Sequence, residues 1–394
     1  MHLGLYEEPV HTDGRTFDTY GPYARLVLAL ARHFDRVTVF APATREATYF
    51  SGVPLDAPNV RVAPLPFFTT HVGAMRRARR IICTFRREAP GLDVIIARST
   101  APLAHILWRL TRRRGAAFIY HFAADPLEAI ARSPKYWGPY RWFARTAYGL
   151  EFAIQKRIMR KGFSFVSGQA LFERLRSITP RMQAFLESTL ADEDYYQRQD
   201  SCAGAEVRLL YVGRLHDGKG LPELLAATAL LRRRGLTVVL DLVGDGALRA
   251  RLQEEAAGLG IGDVVRFRGP AVMGPDLNAY YNAADVFVLP SVSEGSPRVI
   301  VEAMGHSLPV VATAVGNIPG MLGGGERGTL VPPGDPAALA DAVERVIGDR
   351  ALRCRCIREG YRFAREHSLE AMVAAMAEKA KALLAERRGT PAQP

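Results

Sequence analysis

Ser291-Val292-Ser293-Glu294-Gly295-Ser296-Pro297-Arg298-Val299-Ile300-Val301-Glu302-Ala303-Met304-Gly305 is the stretch on which the reading of this chain turns. It follows the apolar run Val286-Phe287-Val288-Leu289, which has the length and composition of a buried strand. Pro290 ends that run, Gly295 admits a tight or positive-φ backbone, and Pro297 suits the first turn of a helix whose interior is Val299 to Met304. A strand therefore hands the chain to a loop and then to a helix N-terminus, where unpaired N–H groups and the helix dipole favour an anionic ligand. Glu294 precedes that terminus and Glu302 lies inside the helix, so both carboxylates can face a crevice at the carboxyl end of a parallel sheet. Carboxylates accept hydrogen bonds, which suits sugar hydroxyls rather than phosphates. The plain alternative is one solvated glutamate and one helix-surface glutamate.

A second segment has the same construction. Val207-Arg208-Leu209-Leu210-Tyr211-Val212 reads as a strand, then come Gly213-Arg214-Leu215-His216-Asp217-Gly218-Lys219-Gly220 and a helix beginning near Pro222. Glycines and two fixed cations between a strand and a helix make a diphosphate clamp. The Lys-Ser/Thr ending of the phosphate-loop signature is missing.

With the Val243-Gly244-Asp245-Gly246 turn, Asp285 before its strand, and seven residues between Glu294 and Glu302, these segments resemble the retaining glycosyltransferases of family 4. The resemblance implies an α/β GT-B fold: two Rossmann-like domains facing across a crevice, and a C-terminal helix that returns to the first domain. It implies sugar transfer from a nucleotide diphosphate sugar, of the UDP or GDP kind, to an acceptor hydroxyl with retention at the anomeric carbon. Arg214 and Lys219 are then expected to neutralise the departing diphosphate, Glu302 to hold the ribose, and Glu294 to hold the donor sugar. His121, at the end of the apolar run Phe118-Ile119-Tyr120, is expected to position that sugar. Gly213, Gly246, Ser296, Pro297, Arg298 and Val299 complete the donor cradle, with Gly21 in the first loop. Gly316 and Asn317 are expected to offer backbone N–H groups. Here the chain departs from the family pattern, which usually has a second glycine where Asn317 stands and an acidic residue where Gly320 stands. No metal-ligand spacing and no tightly bound cofactor is expected. The alternatives are a glycosyltransferase acting on a soluble small-molecule acceptor, a GT-B nucleotide-sugar 2-epimerase, and a noncatalytic membrane- or nucleic-acid-binding protein.

At 394 residues the chain exceeds what one core usually serves. The expected division is an acceptor-binding domain at 1–190, a linker at 191–205 where Asp, Glu, Gln, Ser and Gly accumulate, a nucleotide-sugar domain at 206–366, and a returning helix and tail at 367–394. Strands are expected at 2–6, 37–40, 60–65, 93–97, 118–121 and 163–167, with Glu7 to Gly21 as a loop. In the second half they are expected at 207–212, 237–243, 264–267, 286–289, 309–312 and 329–331. Cys83, Cys202, Cys354 and Cys356 lack metal-site spacing, which favours a reducing compartment. Met1 to Leu5 lacks the basic flank of a signal peptide, so a cytoplasmic protein is expected.

The positive charge is localised. Residues 71–161 hold 19 Lys and Arg against 5 Asp and Glu, a surplus of 14 in a chain whose net charge is +12. The cations come in clusters: Arg76, Arg77, Arg79 and Arg80; Arg86 and Arg87; Arg112, Arg113 and Arg114; Lys156, Arg157, Arg160 and Lys161. The last cluster ends a helical region containing Trp137, Tyr140, Trp142, Phe143, Tyr148 and Phe152. Aromatics beside cations suit a lipid headgroup layer, which points to an anionic membrane surface and a lipid-linked or glycan acceptor on the inner face of the cell membrane. No nucleic acid is expected, since no nucleic-acid motif accompanies the charge. Solvated arginine-rich helices are the plain alternative.

Overall fold

The computed structural model describes residues 1–46, 52–122 and 138–389. Two compact units emerge, one of Met1–Leu186 with Glu370–Pro394 and the other of Glu187–Leu369. The first sheet holds β1 (His2–Tyr6), β2 (Val10–Thr12), β3 (Phe17–Thr19), β4 (Arg36–Thr44), β5 (Val53–Pro54), β6 (Val60–Pro66), β7 (Val94–Arg98), β8 (Ala117–Phe122), β9 (Phe163–Ser167) and β10 (Met182–Phe185). The second holds β11 (Val207–Val212), β12 (Val238–Val243), β13 (Val265–Gly269), β14 (Val286–Leu289), β15 (Val310–Thr313) and β16 (Thr329–Val331).

Strands such as β7, β8, β12 and β14 are apolar along almost their whole length and buried on both faces. That pattern arises when helices cover both sides of a parallel sheet. The six strands of the second sheet are all parallel, in the order β13-β12-β11-β14-β15-β16. The chain moves outward one way from β11 and the other way from β14, so the loops leaving these two neighbours diverge and open a crevice at their carboxyl ends. In the first sheet the order β10-β9-β8-β7-β1-β4 places the equivalent reversal between β1 and β7.

The sequence reading missed the short strands. Residues read as a loop after Glu7 form the antiparallel pair β2–β3, extended by β5, with Asp13 Oδ1 accepting from the N–H groups of Arg15 and Thr16 at 2.7 Å each. β10 was also missed. Segments of two to four residues are too short to display a period of two, and pairing partners distant in sequence decide them.

Residues 191–205 lie inside the second unit rather than between units. Their polar side chains are anchors. Asp200 takes Arg353 Nε at 2.8 Å, Tyr195 donates to the Ala364 carbonyl at 2.6 Å, and Arg198 donates to the Ala284 carbonyl at 2.7 Å. Asp285 closes the segment by accepting from the N–H groups of Cys202 and Arg208. Composition alone does not separate polar residues that are solvated from polar residues that are paired.

The terminal helix Leu369–Arg388 packs on the first unit. Arg181 grips Glu386 through two bonds of 3.0 and 2.8 Å, Arg387 donates to the Lys161 carbonyl at 2.8 Å, and Arg388 pairs with Asp93.

Two glycines flank the helix Leu221–Arg233. Gly220 has φ +64° and a Cβ there would sit 1.9 Å from the Pro290 carbonyl oxygen, whereas Gly235 has φ +89° with nothing within 4 Å. We expect Gly235→Ala to cost about 1 kcal/mol, the left-handed strain alone, and Gly220→Ala to cost roughly 1–3 kcal/mol more from the clash. Urea midpoints of the two variants test this, and equal midpoints would refute the close approach of the β11 and β14 loops.

Candidate functional site

In the second unit three loops are bonded into one platform at the carboxyl ends of β11, β14 and β15. The Val292 N–H donates to the Gly218 carbonyl at 2.9 Å, and Gly220 lies against Pro290. Gly316, with φ +56°, is pressed on the next loop: a Cβ would stand 2.1 Å from the Glu294 carbonyl oxygen. The turn after β12 joins them, because Leu215 N–H donates to the Asp245 carbonyl at 2.9 Å and a Cβ on Gly246 would stand 2.2 Å from the Leu215 carbonyl oxygen. Gly213 continues β11, its N–H donating to the Val243 carbonyl at 3.0 Å.

On this platform Lys219 Nζ lies 2.6 Å from Glu294 Oε1, which also accepts from Ser291 Oγ at 2.7 Å. The cation expected at the diphosphate and the carboxylate expected at the sugar are therefore one partly buried ion pair. Arg214 is exposed and makes no ion pair among the described residues. The helix Arg298–Gly305 starts directly after, with Pro297 as N-cap and no side chain bonded to its first N–H groups. Arg298 and Val299 form its first turn, and Ser296 Oγ accepts from Asn317 Nδ2 at 3.1 Å. An uncapped N-terminus beside Lys219 and Arg214 suits an anion.

Asn317 differs from expectation. Its N–H is bonded to the Gly295 carbonyl at 2.9 Å and so is engaged within the protein. Its φ is −91°, which any residue adopts, so the platform does not require a second glycine there.

Glu302 is buried, 7% exposed, and both its oxygens are held: Oε1 accepts from Thr189 Oγ1 at 2.7 Å and Oε2 from Tyr281 OH at 2.8 Å. Each oxygen retains a second lone pair. Sequence reading missed both partners, which stand 113 and 21 residues away. Behind Tyr281, the His306 ring stacks at 5.0 Å between centroids, and its Nδ1 is bonded to Asn282 Oδ1 at 2.7 Å.

A cleft of about 190 Å³ opens on this unit, lined in part by His216, Gly218, Glu223, Leu248, Arg251 and Val292. It shares Gly218, Gly220 and Val292 with the platform, whereas Arg214, Lys219, Glu294 and Glu302 do not line it.

In the first unit the reversal between β1 and β7 gathers paired charges. His121 in β8 is buried and its Nδ1 lies 2.8 Å from Glu7 Oε1, just past β1, while Glu8 pairs with Arg98 at the end of β7. Glu7 was missed because a glutamate after a strand reads as an ordinary loop residue. Gly21 is the first residue of the helix Gly21–Ala31, after Tyr20 as N-cap. Among the described residues no cluster of His, Cys, Asp and Glu could hold a metal ion.

Residues 206–349 match the family model described as Glycosyl transferases group 1. A D-inositol 3-phosphate glycosyltransferase of Streptomyces avermitilis is 35% identical over 189 residues, 43% of this chain and 40% of the relative. The lipopolysaccharide core biosynthesis glycosyltransferase LpsE of Rhizobium meliloti is 34% identical over 185 residues, 46% of this chain and 52% of the relative. The chain thus matches about half, or less, of the length of these relatives. HepE of Anabaena, solved in complex with UDP, superposes with a TM-score of 0.70 at 17% identity, covering 97% of this chain and 100% of that one. The fold is GT-B, with two Rossmann-like units.

The matched segment holds Arg214, Lys219, Glu294 and Glu302, whereas Thr189, which holds Glu302, precedes it. The packing behind Glu302 carries a pH dependence. Burial lowers the His306 pKa from 6.5 to about 4, with Asp194 opposing the shift and Arg198 adding to it. The unfolded chain therefore takes up a proton that the folded chain refuses, and stability present above pH 6.5 is lost as pH falls toward 4. The loss amounts to about 3 kcal/mol. Melting temperatures between pH 7 and 4.5 should fall more steeply for the wild type than for His306→Gln; parallel curves would refute it.

Proposed function

We propose that the chain is a retaining glycosyltransferase that moves a sugar from a nucleotide diphosphate sugar to an acceptor hydroxyl. The observation that carries this reading is the uncapped start of the helix Arg298–Gly305, set beside the Lys219–Glu294 pair and the unpaired Arg214. When the sugar–phosphate bond breaks, negative charge grows on the diphosphate. Arg214, Lys219 and the helix N–H groups are fixed donors that stabilise this charge, usually the largest contribution to such catalysis. Glu294, aligned by Lys219 and Ser291, accepts from a sugar hydroxyl. Glu302, aligned by Thr189 and Tyr281, accepts from the ribose with its remaining lone pairs. Within the first unit, His121 is oriented by Glu7. The paired-carboxylate hydrolase route is disfavoured, because both carboxylates already have orienting partners and neither is placed as a nucleophile opposite an acid.

Arg214→Ala should lower transfer by about 100-fold with an unchanged melting temperature, because its side chain has no partner to lose. Glu302→Gln, which keeps shape and one acceptor, should weaken nucleoside diphosphate binding measured by calorimetry. Wild-type turnover in the first variant together with wild-type affinity in the second would overturn the reading.

For the acceptor we propose a lipid-linked or envelope glycan met at an anionic membrane from the cytoplasmic side. Two helices of the first unit support this, His71–Arg76 and Gly138–Met159, tied by a 3.0 Å contact between His71 Nε2 and Glu151 Oε2. They expose Met75, Trp142 and Ile154, and the exposed Arg76, Arg77, Arg79 and Arg80 follow Met75 directly in the chain. Trp137 lies outside the described residues, and of Tyr140 and Phe143 only the backbone is described. No helix among the described residues is long and apolar enough to cross a membrane. Co-sedimentation with anionic vesicles should weaken as salt screens the arginines, leaving a residue of binding that Met75→Ser with Trp142→Ser removes. Absence of binding at low salt would exclude the membrane while leaving the transferase reading in place.

A further inference from the structure

The basic clusters of residues 71–161 do not share one face. Arg76 to Arg80 follow the carboxyl end of β6, whereas Arg112 to Arg114 precede β8 and Lys161 precedes β9, at the opposite edge of the same sheet. At that opposite edge Arg112, Arg113 and Lys161 meet Arg387 of the terminal helix around Trp108, lining a pocket of about 340 Å³.

Four cations from three separated segments line this pocket, and none forms an ion pair with a carboxylate among the described residues. The neighbouring acids are engaged elsewhere, Glu386 by Arg181 and Asp93 by Arg388. Such convergence of like charges is unfavourable without a counter-charge. Arg387 is half-buried there, and burial first, then the charge of Arg181, lowers its pKa against the charge of Glu386. Arg112 is held with its guanidinium 4.8 Å over the Trp108 ring, which fixes the plane of its N–H fork. Trp108 is 8% exposed, and its indole N–H has no acceptor among the described residues.

We propose that this pocket binds a phosphate group, as a phosphate ester or an inorganic diphosphate, at a site separate from the donor cradle. The chemistry selects a compact anion of more than one charge, because forked guanidinium donors match phosphate oxygens and four cations exceed what one carboxylate neutralises. A nucleic-acid strand needs an extended charged track, which a pocket lined by four cations and one aromatic ring does not offer. The inference does not depend on the transfer reaction, since none of its residues belongs to the platform of the second unit.

Trp108 makes the pocket directly observable. In a Trp137→Phe, Trp142→Phe protein it is the sole tryptophan of the chain's three. Its emission should change saturably with inorganic diphosphate, including in an Arg214→Ala background where the donor cradle is impaired. The same titration with vesicles containing phosphatidic acid identifies a lipid headgroup as the source, and a response to diphosphate alone identifies a soluble one. Arg112→Gln with Arg113→Gln should weaken either response at least tenfold while melting at the wild-type temperature. A response matched by sodium chloride at equal ionic strength, one unchanged in the double variant, or a stronger response to a single-stranded oligonucleotide than to either phosphate ligand would overturn the proposal.

Discussion

Backbone-on-backbone contact between the loops leaving β11 and β14 is the constraint on which the second unit depends. Gly220 can stand against the Pro290 carbonyl only because it has no Cβ and tolerates a left-handed φ. That contact, with the bond from Val292 to Gly218, places Lys219 within reach of Glu294 and holds both at the start of the helix Arg298–Gly305. Gly316 and Gly246 repeat the device on either side. The site is thus rigid through main-chain packing, and its side chains start from fixed positions.

Charge is arranged with equal economy. Lys219 is held by Glu294, and Arg214, Arg298 and the unpaired N–H groups add to the positive potential at the helix start. The diphosphate proposed for this place would meet donors that need no large rearrangement. In the first unit the strand ends carry opposite pairs instead, Glu7 with His121 and Glu8 with Arg98. Both reversals of strand order therefore bear organised charge, as expected where diverging loops leave polar side chains room at the carboxyl ends. The surplus cations divide between the two edges of the first sheet, because helices run antiparallel to the strands and carry successive arginine clusters to opposite ends.

Elements with long apolar runs were legible in the sequence. Val207–Val212 and Val286–Leu289 stand where their composition put them, since a strand buried on both faces needs continuous apolar residues whatever its neighbours. The order of strand, glycine loop and helix also followed from the sequence, because Gly and Pro act through local backbone geometry. These local rules determined the α/β order, and the family resemblance they carry, with the Glu294 and Glu302 spacing, supplied the GT-B expectation and the roles of the candidate residues. Tertiary structure decided what each candidate touches. It joined Lys219 to Glu294, gave Glu302 the partners Thr189 and Tyr281, engaged the Asn317 N–H, and turned the polar stretch 191–205 into anchors on Arg353 and Ala364. It also brought Arg387 to Arg112, Arg113 and Lys161 across more than half the chain. Hydrogen bonds and ion pairs act over a few ångströms of space, so partners far apart in sequence leave no periodic signal, and only the folded chain fixes which of them meet.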